Sequence, residues 1–124
     1  MKLYFCHSRD FDYLNELYQP IKNSSLSKQH EIAFPHEKAN PTINTQNLIK
    51  NVDRVIAEVS FPSTGMGIEL GWAHAFEVPI ICIYQKGKVL SSSLRFVTDE
   101  FIEYTDSQDL INQLENSLLE FSKR

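Results

Sequence analysis

The run PIICIY, Pro79 to Tyr84, constrains this chain more than any other feature. A strand with one wet face alternates apolar and polar residues, whereas this β-branched run does not alternate. It therefore reads as a strand covered on both faces, as in a parallel sheet between helical layers. KLYFC (Lys2 to Cys6) and DRVIAEVS (Asp53 to Ser60) have the same character. HEIAF (His30 to Phe34, stopped by Pro35) and Phe101 to Tyr104 complete five strands. Helical patterns separate them. Asp10 is placed to cap FDYLNELYQ, with Phe11, Leu14, Leu17 and Tyr18 on one face; Pro20 is expected to end or kink it, although Ile21 suggests another turn. Thr45 to Lys50 and Thr64 to Phe76 follow. A last helix opens on a capping box of Thr105 with Gln108 and buries Leu110, Leu114, Leu118 and Phe121. Lys86-Gly87-Lys88 reads as a turn. The alternation predicts an α/β fold, a parallel sheet wrapped on both sides, with residues 1–124 as one domain.

The charge balance narrows the partners. A net charge of -4, with 23% charged residues, disfavours a nucleic-acid polymer or an anionic membrane, which need clustered Lys and Arg. It leaves a small anionic ligand open. Cys6 and Cys82 each sit inside an apolar run, so both thiols are expected to be buried in a reducing, cytoplasmic setting. No apolar run reaches transmembrane length and the start lacks a signal-peptide pattern.

Ligands of such sheets bind beyond the carboxyl ends of the strands. Three segments are expected there: HSRD, FPHE and SFPSTG. The last belongs to EVSFPSTGMGIELGWA, Glu58 to Ala73. Its glycines miss the G-x-G-x-x-G spacing, since the third comes one residue late at Gly71, and no Gly-Lys-Ser/Thr exists. Dinucleotide and P-loop readings are therefore rejected, and no cofactor is expected. A general anion site survives: free amides at a helix start, the hydroxyls of Ser63 and Thr64, and Gly65 and Gly67 allowing close approach. The competing reading makes Ser63 or Thr64 a plain cap, with the glycines packing on the sheet. Glu69, one turn further in, is expected to have a lowered pKa beside the positive helix end, which suits a nucleophile or electrostatic stabiliser. The competing role is complementing the dipole. His30, Glu31, His36 and Glu37 lack metal-binding spacing, so no metal is expected. His36 could line the site. His30 is expected to face solvent, His74 to lie at the surface or an interface, and Trp72 in the core or a subunit contact.

VDRVIAEVSFPSTGMGIELGWA, then PIICIY and GKVLSSSLR, together with YFCHS at the start, resemble the nucleoside 2-deoxyribosyltransferase superfamily. Within it the chain is similar to the 2′-deoxynucleoside 5′-monophosphate N-glycosidase branch. The resemblance covers most of the chain and is weakest between Ser24 and Gln46. It implies a flavodoxin/Rossmann-like three-layer sandwich with a five-stranded parallel sheet. It also implies hydrolysis of a deoxynucleotide through a covalent deoxyribosyl intermediate on Glu69, the retaining-glycosidase scheme. Ser8, Ser63 and Ser91 match the branch's phosphate-binding serines, with Ser91 delivered by a neighbouring subunit of a homodimer or larger homo-oligomer. Tyr4 matches a tyrosine near the sugar. The family's second acid falls at Thr45, which cannot protonate a base effectively. A family glycine is His7, and the arginine after it is displaced, with Arg9 nearby. His7, His36 or Glu37 could replace the missing acid; otherwise the substrate carries a good leaving group or the protein binds without turnover. Asp53 is expected to be structural. Transfer of deoxyribose between bases, or plain nucleotide binding, are the alternatives to hydrolysis.

Overall fold

The computed structural model describes residues 1–36 and 44–122. Five strands, β1 (Lys2–His7), β2 (Glu31–Ala33), β3 (Arg54–Glu58), β4 (Ile80–Gln85) and β5 (Phe101–Tyr104), form one sheet in the order β2-β1-β3-β4-β5. Every pairing is parallel, with Tyr4 beside Val55, Cys6 beside Ala57 and His7 beside Glu58. The expected α/β architecture is realised. This order reverses direction between β1 and β3, the switch point where open sheets leave a crevice.

Helices cover both faces. Helices α3 (Thr45–Lys50) and α4 (Thr64–Ala75) lie over a core of Tyr4, Cys6, Val55, Ala57, Ile80 and Cys82, joined by Ile49, Met66, Leu70 and Ala73. On the other face α1 (Leu14–Tyr18 with Gln19–Lys22) and α5 (Ser107–Ser122) cover Leu3, Phe5, Ile56, Ile81, Ile83 and Ile102 with Leu17, Tyr18, Ile21, Leu110, Leu114 and Leu118. Alternate residues of each strand supply the two cores, which explains why the strand sequences are apolar throughout. Cys6 and Cys82 are free and buried as expected.

Three local expectations are corrected. Helix α1 begins as a π-helical turn, Leu14–Tyr18, and continues as α-helix over Gln19–Lys22. Pro20 lacks an N–H and its ring would crowd the carbonyl of Glu16. The wider π turn absorbs that conflict, so the helix continues through the proline. The change of phase also turns Leu14 outward, leaving it 48% exposed. Asp10 does not cap this helix; Asp12 does, its carboxylate accepting from the Asn15 backbone and side chain at 3.4 and 2.9 Å. At α5 the box is shifted by one residue. Asp106 accepts from the Asp109 amide at 2.8 Å, and Asp109 reaches back to the Thr105 amide at 2.9 Å. Gln108 instead bonds Asn112. A short helix, α2 (Leu26–Gln29), was not expected.

Asp53 is structural, as expected: its carboxylate accepts from the Lys2 amide at 2.7 Å, and its own amide bonds the Lys2 carbonyl at 2.8 Å. His30 is half-buried rather than solvent-facing, its Nδ1 3.4 Å from the amino terminus. His74 is exposed, and Trp72 packs half-buried against the α4-side core. Among the described residues no helix is long and apolar enough to cross a membrane.

Candidate active site

A cleft of about 520 Å³ opens at the switch point. Its walls come from the loop after β1 (His7, Ser8, Arg9, Asp10), from His36, and from the β3–α4 junction (Pro62 to Met66, with Glu69). Eight residues expected at a site from the sequence thus meet in one place: His7, Ser8, Arg9, His36, Ser63, Thr64, Gly65 and Glu69. Asp10 and Pro62, which belong to the expected segments HSRD and SFPSTG, join them, and so does Met66, which was not expected. Glu37 falls outside the described residues.

The floor of the cleft is the amino end of α4. Ser63 has extended backbone (φ -154°), and its hydroxyl oxygen accepts from the Met66 amide at 3.3 Å. Capping and lining the cleft are therefore both roles of Ser63. The capped amide leaves the earlier first-turn amides of α4 without intrahelical acceptors, aimed at the cleft mouth. The glycines do not serve close packing. A Cβ on Gly65 would meet only the Ser63 hydroxyl at 4.0 Å, and one on Gly67 would meet nothing within 4 Å. Gly67 lies outside this cleft, in a neighbouring apolar groove of about 430 Å³ with Ser91, Leu90 and Leu94. Ser91 is exposed, and its side chain accepts from the Ser93 amide at the start of a 3-10 turn, Ser92–Phe96. Its own chain does not bring it to the cleft.

Glu69 reaches the cleft from the second turn of α4, on the side facing β1. There Tyr4, only 1% exposed, donates its hydroxyl to Glu69 Oε2. Tyr4 thus lies under the carboxylate and is not part of the cleft wall. The expected lowering of the Glu69 pKa is overturned. Burial raises it from the ordinary glutamate value, and the Tyr4 hydrogen bond offsets this only in part. Desolvation of a carboxylate wedged against the sheet outweighs the stabilisation a helix end provides. Burial and the neighbouring carboxylate raise the Tyr4 pKa, so its phenol stays a donor.

On the opposite sheet face, His7 closes the base of the β1 loop. Its Nδ1 donates to the Ser8 carbonyl at 2.7 Å, leaving Nε2 to accept from the Tyr18 hydroxyl at 2.6 Å. The Tyr18 oxygen in turn accepts from the His36 amide at 3.1 Å. Burial depresses the His7 pKa to about 4, so the ring is neutral and both nitrogens are engaged. Above it Arg9 donates to His36 Nδ1 at 3.0 Å, linking the loops after β1 and β2 across the rim. Burial first and Arg9 second lower the pKa of His36. Thr45, at the start of α3, does not line the cleft. A larger groove of about 670 Å³ beyond β4 and β5, lined by Tyr84, Lys88, Ser91 and Arg95, is away from the switch point and from Glu69. Among the described residues no three His, Cys, Asp or Glu side chains converge as a metal site.

Known proteins are similar to this chain in part of its sequence and in its fold. A rat protein described as 5-hydroxymethyl-dUMP N-hydrolase is 46% identical over 55 residues, covering 43% of this chain and 34% of the relative. The zebrafish (Danio rerio) protein of that description is 38% identical over 85 residues, covering 67% of this chain and 58% of the relative. The chain is a distant homologue of these nucleotide N-hydrolases. The matched part spans about a third of the length of the rat, mouse and human relatives. No protein-family model matches the chain. Its fold is that of the Clostridium botulinum CMP N-glycosidase BcmB, with a TM-score of 0.66 over 93% of this chain and 99% of the other, at 22% identity.

Proposed function

We propose that the chain hydrolyses the N-glycosidic bond of 2′-deoxynucleoside 5′-monophosphates, giving free base and deoxyribose 5-phosphate. The observation that carries this reading is a tyrosine-held carboxylate sharing one cleft with the free-amide start of a helix. Ser63, Ser8 and the α4 amides at Thr64 and Gly65 take the 5′-phosphate, with Arg9 adding positive charge at the rim. Glu69 addresses the sugar. Its Oε attacks the anomeric carbon as the carbon–nitrogen bond breaks, the bonding pair leaving with the base, which takes up a proton. Water then attacks the same carbon, the ester to Glu69 breaks, and the carboxylate is regenerated. Tyr4 acts through Glu69, fixing its orientation by a hydrogen bond from beneath.

His36 is the cleft group best disposed to meet the leaving base. Its Nδ1 is held by Arg9 and its Nε2 is the donor, whereas both nitrogens of His7 are already used. Ser91 is exposed and outside its own chain's cleft, which fits a homodimer in which Ser91 of the partner subunit completes the phosphate site. The homologues named as nucleotide N-hydrolases support the reaction class.

The test is incubation with the deoxynucleoside monophosphates, 5-hydroxymethyl-dUMP and CMP, with assay of free base. Release of base that Glu69→Ala abolishes is the expected result. Adding a second base separates hydrolysis from transfer, since transfer produces a new nucleoside. Tight nucleotide binding with no base released would refute the enzymatic reading in favour of a binding module.

A further inference from the structure

The last residues of β1 and β3, His7 and Glu58, are register partners on the sheet face away from Glu69. Both are polar and almost fully buried, at 3% and 1% exposure. Each bonds the backbone of the loop that follows its own strand. His7 takes the Ser8 carbonyl, and Glu58 Oε1 accepts from the Ser60 amide at 2.6 Å. The second Glu58 oxygen accepts from the Tyr104 hydroxyl at the end of β5. The Ser60 hydroxyl oxygen accepts from the Gln85 amide at 2.8 Å, and the Val59 amide bonds the Ile83 carbonyl at 2.9 Å. The segment from Glu58 to Ser60 is therefore fastened to the ends of β4 and β5, and three residues later it delivers Ser63.

A buried carboxylate is a costly way to finish a strand where the next residue inward on this side is Ile56, because an isoleucine there would pack without desolvating a charge. The geometry points to a role in positioning. We propose that Glu58 is a positioning residue for the anion-binding end of the cleft: its carboxylate sets the β3–α4 loop so that Ser63 and the first amides of α4 converge on a phosphate. The function rests on the reading of the cleft above as a phosphate site, while the residue, its partners and the loop it holds are separate from Glu69 and Tyr4.

The experiment compares Glu58→Gln and Glu58→Leu in the full chain, using inorganic phosphate as the probe. Phosphate affinity is read by calorimetry and loop order by amide hydrogen exchange across residues 59–66. Leucine is expected to weaken phosphate binding about tenfold and to speed exchange at Ser60 and its neighbours by a similar factor, since a buried amide loses a charged acceptor. Glutamine keeps a carbonyl oxygen for the Ser60 amide and is expected to restore both readouts to within about threefold of the wild type. Tyr104→Phe frees one carboxylate oxygen without touching the loop, and should move both readouts in the same direction by a smaller factor. It also carries the test should the leucine variant not fold. Phosphate binding and loop exchange unchanged in the leucine and Tyr104→Phe variants, or lost equally with glutamine, would overturn the proposal. A wild type that binds phosphate but releases no base sinks the hydrolase reading alone, because neither readout depends on turnover.

Discussion

The neutral, buried His7 makes acid a specific threat to this fold. Its ordinary pKa of 6.5 is lowered to about 4, chiefly by burial, with the positive charge of Arg9 and the neighbouring His36 acting the same way against the Ser8 hydrogen bond. As pH falls below 6.5 the unfolded chain protonates this imidazole while the folded chain does not. The unfolded state then binds more protons, so stability falls with falling pH until the folded ring also protonates near pH 4. Across that interval, at about 1.4 kcal/mol per pH unit, the loss is about 3 kcal/mol. That is a large part of the roughly 5–15 kcal/mol that holds a domain together. His7→Gln isolates the effect. Glutamine does not titrate, and its side-chain oxygen can still accept from the Tyr18 hydroxyl. Urea unfolding of both proteins between about pH 7.5 and about pH 4.5 gives two stability curves. The wild-type curve is expected to fall more steeply, by most of that 3 kcal/mol, whatever the offset between the curves at neutral pH. His30, whose pKa is lowered by its own burial away from His7, contributes alike in both proteins and cancels in the difference. Curves that run parallel to within about 0.5 kcal/mol would refute the reasoning, since His7 would then be exchanging protons freely in the folded state.

Three further outcomes follow from the geometry. Tyr4→Phe removes the donor that partly offsets the burial of Glu69, so the acid limb of the rate profile should move to higher pH. The rate should fall by about 10–100-fold, the worth of a hydrogen bond to a charged group, as measured by base release against pH. Gly67→Ala places a methyl in open space on α4 and should stabilise the protein by about 0.5–1 kcal/mol in urea unfolding, leaving phosphate affinity unchanged. Helix α4 ends in a Schellman motif, the Val78 amide bonding the Ala73 carbonyl and the Glu77 amide that of His74, with Glu77 at φ 59°. A non-glycine residue is strained there, so Glu77→Gly should raise stability by up to about 1 kcal/mol by the same measurement.

The sheet was legible because burial on both faces leaves a mark that local chemistry does not obscure. PIICIY and VIAEV allow hardly any other reading, and all five strands fell within a residue or two of their expected limits. What went astray was local competition. At Pro20 a π turn carries the helix on through Ile21, where the sequence offered an end, a kink or one more turn. At α5, Asp106 competes with Thr105 for the cap one residue away, and a carboxylate caps as well as a hydroxyl. The site was legible in its members, because hydroxyls, glycines and an acid at the start of one helix already suggest a ligand. Its second layer was not. Glu58 sits inside the apolar run AEV, and nothing in that run says that its carboxylate turns to the face opposite Glu69 and meets Tyr104 from β5. That contact depends on strand order, which spacing along the chain does not carry.

Two glutamates stand at the same end of the sheet, Glu58 buried and Glu69 half-buried, each receiving a tyrosine hydroxyl and each with its pKa raised by desolvation. Their surroundings separate their roles. Glu58 has both oxygens engaged, one by an amide and one by a phenol, and it is closed off from solvent, so it can hold a backbone but cannot reach a substrate. Glu69 lines an open cleft, with Tyr4 holding Oε2 from beneath. A carboxylate stabilised on every side would be ionised but inert. One desolvated by the protein and steadied by a single neutral donor keeps its basicity, and with it the nucleophilicity that attack on an anomeric carbon requires. On the proposed mechanism the raised pKa trades ready ionisation for retained basicity, the reverse of what the helix end alone had suggested. A dipole-lowered carboxylate would have been the more easily ionised but the poorer at attack.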